Sequence, residues 1–72
     1  MEIFTLRPGE EYIEMNQLLK VTTLVQSGGH AKIVIEDGLV TVNGEQEFRK
    51  RRKMRDGDIL ELEGQKVEVK AA

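Results

Sequence analysis

Apolar positions change their spacing along this chain, and each change predicts a different element. Ile3, Phe4 and Thr5 make Met1 to Leu6 loosely alternating and rich in β-branched or aromatic side chains, which predicts a strand. Arg7-Pro8-Gly9 ends it as a turn, because proline presets φ and glycine permits the reversal. From Glu14 the period becomes helical: Met15, Leu18, Leu19 and Thr22 fall at i, i+3, i+4 and i+7. Glu14 near the start of this helix and Lys20 near its end suit the macrodipole. Leu24 and Val25 interrupt the polar connection beyond it and are expected to plug the core.

Ser27-Gly28-Gly29-His30 punctuates the chain, and two readings of the next segment compete. Ala31-Lys32-Ile33-Val34-Ile35 is β-branched, and Asp37-Gly38 is a tight-turn dipeptide before the clear strand Leu39-Val40-Thr41-Val42; this reads as a hairpin. Alternatively Ser27 is an N-cap, Gly28 to Glu36 a helix with Ala31, Val34 and Ile35 on one face, and Gly38 its left-handed terminator. β-Branching lowers helix propensity by only roughly tenths of a kcal/mol per residue, so local chemistry leaves both open. The remainder is β. Asn43-Gly44 closes the Leu39 to Val42 strand, and Asp56-Gly57 turns the chain into Asp58 to Glu63. Leu60 and Leu62 alternate there with Glu61 and Glu63. Gly64-Gln65 turns the chain again, and Val67 and Val69 alternate with Lys66, Glu68 and Lys70, as in a half-buried hairpin. Leu18, Val34 and Leu62 are expected in the core.

Composition narrows what such a fold can do. Seventy-two residues are enough for a single domain, expected to span 1–72. The chain has no cysteine, so neither a disulfide nor a thiolate zinc site can support it. No apolar run approaches the roughly 18 residues of a membrane span. Met1-Glu2-Ile3-Phe4 lacks the basic region of a secretory signal. A cytoplasmic protein without membrane attachment is therefore expected, acting as a monomer.

Net charge is −2, yet residues 49–55 hold six positive charges and no negative one. Local field, more than total charge, decides where a polyanion docks. Arg49, Lys50, Arg51, Arg52, Lys53 and Arg55 thus form the first candidate site. Guanidinium forks grip phosphate oxygens bidentately and lysines add point charges. These side chains are expected to be solvated, so that replacing arginines there would leave stability almost untouched. Ser27, Gly28 and Gly29 form a second candidate, since a helix starting there would offer free N–H groups to a phosphate; a plain tight turn is the competing reading. Lys20 and Lys32 would extend a cationic face.

Other side chains carry less. His30 is the only histidine, which without cysteine makes no transition-metal site. Glu10, Glu11 and Glu14 read as a solvated face near a helix start. No catalytic constellation, metal or cofactor is indicated, and no enzyme activity is expected. Phe48 reads either as a core residue or as a weak stacking surface.

Taken in order, Ile13 to Lys20, Leu24 to Lys32 and Gly38 to Gly44, followed by Arg49 to Arg55 and Gly57-Asp58-Ile59, resemble the alpha-L RNA-binding motif. That is the domain named after small-subunit ribosomal protein S-four. The Ser-Gly-Gly break and the arginine-rich run look most like the small stand-alone bacterial members of the YaaA-like type. The similarity covers residues 13–64. It implies an α+β fold, with two short helices packed on a small, mainly antiparallel sheet, and makes Gly28 to Glu36 the second helix. It implies binding to structured RNA, expected to be ribosomal RNA or a ribosomal particle. Lys20, Ser27, Gly28, Gly29 and Lys32 would then lie on the RNA-facing surface, with Arg49, Lys50, Arg52 and Lys53. Many family members have arginine where Gly28 stands, leaving backbone donors to take its place here. The stand-alone type tends to have glycine where Arg51 stands, which puts the turn at that point in question.

Two other functions compete. A β-grasp sulfur carrier of the ubiquitin-like sort would share the first strand, a helix near residue 15 and the Val42-Asn43-Gly44 pattern, but its chemistry needs a C-terminal Gly-Gly where this sequence reads Lys70-Ala71-Ala72. A protein-binding adaptor would use the acidic face or a strand edge. The sulfur-carrier reading also leaves the cationic run unexplained.

Overall fold

In the computed structural model, which describes residues 1–72, both contested and uncontested elements take definite form. The strands are β1 (Glu2–Thr5), β2 (Ile13–Glu14), β3 (Val40–Val42), β4 (Glu45–Gln46), β5 (Lys53–Met54), β6 (Ile59–Leu62) and β7 (Gln65–Lys70). The helices are α1 (Met15–Val21) and α2 (Gly28–Glu36). Five strands make one sheet in the order β1-β7-β6-β3-β4. Only the β1–β7 pair is parallel. β2 and β5 form a separate antiparallel pair.

The helical reading of Gly28 to Glu36 is the one realised. Its ends decide it. Ser27 Oγ accepts from the His30 amide at 3.1 Å, a cap worth about 1 kcal/mol. At the other end Gly38 adopts φ +73°, and the Gly38 and Leu39 amides donate back to Ile35 and Val34. That double return is the Schellman closure, which needs a residue tolerant of positive φ. Ala31, Val34 and Ile35 are buried, and Ile33 faces solvent.

α1 buries Met15, Leu18 and Leu19 on the face its spacing predicts. Thr22 joins them because its hydroxyl donates to the Leu18 carbonyl at 2.7 Å. Val25 plugs the core, and Leu24 packs against it half-buried. On the sheet, Val40, Val42, Leu60, Leu62, Val67 and Val69 are buried, and they alternate with more exposed neighbours. One sheet face therefore carries the core, and the helices cover it, giving an α+β layer pair.

The final turn lies one residue earlier than the sequence pattern places it. Glu63 and Gly64 both have positive φ, at 51° and 80°, and Leu62 pairs with Gln65. Gln65 is thus the first residue of β7. A two-residue turn of this kind matches the right-handed twist of its strands.

Candidate nucleic-acid interface

The cationic run occupies the connection from β4 to β5, and its backbone is fixed at several points. The Glu47 amide donates to Val40 O at 3.0 Å as the chain leaves the sheet. The Arg52 amide then closes a turn onto Arg49 O at 3.1 Å. Arg51 sits in that turn without a positive φ, so no glycine is required there.

The same loop finishes the N-terminus of α1. A helix leaves its first amides without intrahelical partners, and Glu14 at the N-cap offers no side-chain acceptor. The Met15 amide donates instead to Arg52 O at 2.8 Å, and the Asn16 amide to Lys50 O at 2.9 Å. Beyond the turn, β5 pairs with β2, Ile13 opposite Met54 and Glu14 opposite Lys53. Met54 is fully buried between two exposed cations and anchors the segment in the core.

The side chains of Arg49, Arg51, Arg52, Lys53 and Arg55 line an open concavity of about 600 Å³ with no apolar residue in its wall. Tyr12 borders this group. Lys53 Nζ lies 5.0 Å from the Tyr12 ring centroid, and the Arg55 guanidinium 5.5 Å from it. A ring face attracts both cations through its quadrupole and holds two flexible side chains near one place. Sequence reasoning passed over Tyr12. The β2–β5 register brings it there, setting the residue before Ile13 beside the residue after Met54.

The expectation that the run is wholly solvated is corrected by two carboxylates that the fold brings to it. Glu47 binds Arg49 through both of its oxygens at 3.0 Å and Arg52 Nε at 2.9 Å. Arg52 also reaches Asp58 Oδ2 at 3.3 Å. The Arg52 side chain is consequently only 24% exposed, against 75% for Arg49. Hydrogen bonding from the Arg49 side chain pulls the Glu47 carboxyl down to about 2; burial opposes this, and the Arg49 amide and the charges of Arg49 and Arg52 reinforce it. Burial pushes the Asp58 carboxyl up. Hydrogen bonds from the Arg55 amide, Asn43 and Arg52, with the Arg52 charge, outweigh it and hold the group below its ordinary value. Lys50, Arg51, Lys53 and Arg55 form no ion pair and keep their charge available.

The remaining candidates are not all gathered at this loop. Lys20 is half-buried in the last turn of α1, at the opposite end from the docked loop. Lys32 is exposed on α2. Ser27 uses its hydroxyl as the helix cap. The Gly28 and Gly29 amides find no backbone acceptor, and a Cβ at Gly28 would meet nothing within 4 Å. His30 accepts the Gln26 amide at Nδ1, 3.3 Å away. Glu11 is exposed and Glu14 half-buried. Glu10 is exposed, but its carboxylate also accepts the Arg7 amide at 2.8 Å and braces the first turn.

The family model described as "S4 domain" matches residues 5–70. The chain belongs to the S4 domain family. The S4 match takes in all of β7 and Thr5 at the end of β1, beyond the 13–64 span of the sequence resemblance. Among curated S4 relatives is the "Probable ribosome maturation protein RlbA" of Bacillus subtilis (strain 168). It is 43% identical over 54 residues, 75% of this chain and 76% of that protein. YbcJ of Escherichia coli (strain K12) is 40% identical over 60 residues, 83% of this chain and 86% of its own. The solution structure of Escherichia coli YbcJ superimposes with a TM-score of 0.74 at 38% identity, covering 99% of this chain and 89% of that one. That structure is described as revealing an "alfaL motif involved in RNA-binding". Shared S4 architecture makes this an alpha-L fold, two helices on a mainly antiparallel sheet.

Proposed function

We propose that this S4 domain binds structured RNA, and ribosomal RNA or a ribosomal particle in particular, without performing catalysis. The observation that carries the reading is the anchored cationic concavity of Arg49, Arg51, Arg52, Lys53 and Arg55. Two carbonyls of the loop, Lys50 O and Arg52 O, accept the first amides of α1, so its cations are presented on an anchored backbone. Preordering of this kind lowers the entropy lost on binding. Lys50 adds charge beside it. Lys20, Lys32, Ser27 and the open amides of Gly28 and Gly29 supply a second, more dispersed set of phosphate donors. Phosphates and shape would be read in preference to base sequence, because A-form helices hide their major-groove edges.

S4 membership and the RNA-binding description of YbcJ support this reading over sulfur carriage or a purely protein-binding role. The name of RlbA supports a ribosomal target. No helix is long and apolar enough to cross a membrane, which accords with a cytoplasmic setting. Residues 1–72 would act as one binding unit and as a monomer. Crosslinking of the protein to RNA in cells, followed by sequencing of the bound fragments, tests the target. Enrichment of ribosomal RNA fragments at reproducible positions is expected; fragments spread in proportion to transcript abundance would contradict it.

A further inference from the structure

Phe48 is a bare aromatic beside the cationic loop. Its side chain is left out of the core, and the residue is 57% exposed. Its backbone is held on both sides. The preceding Glu47 amide is bonded to Val40 O, and the Glu47 carboxylate accepts from the Arg49 amide and guanidinium. One edge of the ring rests on Gly38, where a Cβ would come within 3.3 Å of Phe48 Cε1 and 3.4 Å of Cζ. Gly38 is itself fixed by the closure of α2 and by Gln46 Nε2, which donates to its carbonyl at 3.0 Å. The ring therefore has one edge held against Gly38 and stays largely open to solvent, one residue from Arg49.

We propose that Phe48 is a stacking platform for one unpaired base of the bound RNA. The inference rests on the RNA-binding reading above and adds a structural class of substrate: helical RNA interrupted by a bulged or looped-out nucleotide. Every base has a π-face and stacks on an aromatic ring with little regard for sequence. Bases inside an A-form helix present no such face, so only an extruded one reaches the ring. The adjoining cations favour a nucleic-acid occupant over an apolar peptide, because they would hold the phosphates flanking that nucleotide. An aromatic ring also has few rotamers to lose, so the platform is ready before binding.

The test uses the whole chain with two RNA hairpins, one carrying a single bulged adenosine and one fully paired. Phe48→Ala should weaken binding to the bulged hairpin by roughly tenfold, as expected for loss of one stacked base. It should leave the paired hairpin and both salt slopes unchanged, since no cation is removed. The chain has no tryptophan, so Phe48→Trp supplies a single indole fluorophore, whose emission should be quenched by the bulged hairpin and not by the paired one. Equal binding of both hairpins by parent and Phe48→Ala, with no selective quenching, would overturn the platform while leaving RNA binding standing. Failure of the parent to hold either hairpin at low salt would overturn the RNA reading and the platform together.

Discussion

Asn43 and Asp58 clasp two turns together. Asn43 Nδ2 donates to Asp58 Oδ1 at 3.0 Å, and Asn43 Oδ1 accepts the Ile59 amide at 2.9 Å. The second Asp58 oxygen accepts the Arg55 amide at 2.8 Å and Arg52 at 3.3 Å. The Val-Asn-Gly and Gly-Asp patterns are thus two halves of one network, and that network also fixes the end of the cationic loop. Asn43 holds φ +53°, a conformation asparagine tolerates better than most residues. Asn43→Ala should lower stability by about 1–3 kcal/mol, through lost hydrogen bonds and a less tolerant backbone. Asn43→Gly should lose the bonds without the steric penalty and fall between the two. Urea melts of the three proteins check this, and coincident curves for Asn43→Ala and the parent would contradict the clasp.

Acid should loosen the loop through Glu47. The folded chain gives up this proton at about 2, against roughly 4.3 for an unfolded glutamate. Acid therefore protonates the unfolded state first. The stability this carboxylate supplies is complete above a pH of about 5 and is lost as the pH falls toward 2. Asp58 shifts in the same direction. Thermal melts across this range should show a shallower acid decline for Glu47→Gln than for the parent. Identical declines would mean that the Glu47–arginine pairs do not persist in solution.

Arg52 and Arg51 should behave differently despite being neighbours. Arg52→Ala strips a partner from both Glu47 and Asp58. It is expected to cost about 1–2 kcal/mol, between an exposed pair and a buried one. Arg51→Ala should leave the melting midpoint near that of the parent while weakening RNA binding. Parallel denaturation and binding curves separate the two, and equal stability losses would remove the distinction.

The core should be as intolerant as its burial indicates. Leu18 is fully buried on α1, and Leu18→Ala should cost about 2–5 kcal/mol. In a domain this small that is a large share of the total stability. A urea midpoint matching the parent would place Leu18 off the buried face.

The layer pair was legible because its elements follow simple periods. Met15, Leu18 and Leu19 keep a helical spacing, and Val67 and Val69 alternate along β7. α2 was ambiguous because Ile33, Val34 and Ile35 favour strand while Ser27 and Gly38 favour helix termini, and the termini prevailed. The cations themselves were visible as a run. Their partners were not, because Glu47–Arg52 depends on how the loop folds back and Arg52–Asp58 on how β6 returns beside it. Tyr12 was hidden for the same reason, as it meets Lys53 and Arg55 only through the β2–β5 pairing. Phe48 suited core or surface equally in the sequence; the fold leaves it exposed, with only a ring edge against Gly38.

The salt dependence of RNA binding tests the central claim most directly. If the loop holds phosphates, log affinity for a structured RNA falls linearly with log salt, by roughly 0.7–0.9 per phosphate neutralised. Arg51→Ala/Arg55→Ala should weaken binding to all tested RNAs alike and flatten that slope by about one to two units. Lys66→Ala/Lys70→Ala should leave it as in the parent; Lys70 is already paired with Glu68 at 3.1 Å. A slope unchanged by the arginine replacements, or lowered equally by the lysine ones, would contradict binding at the loop.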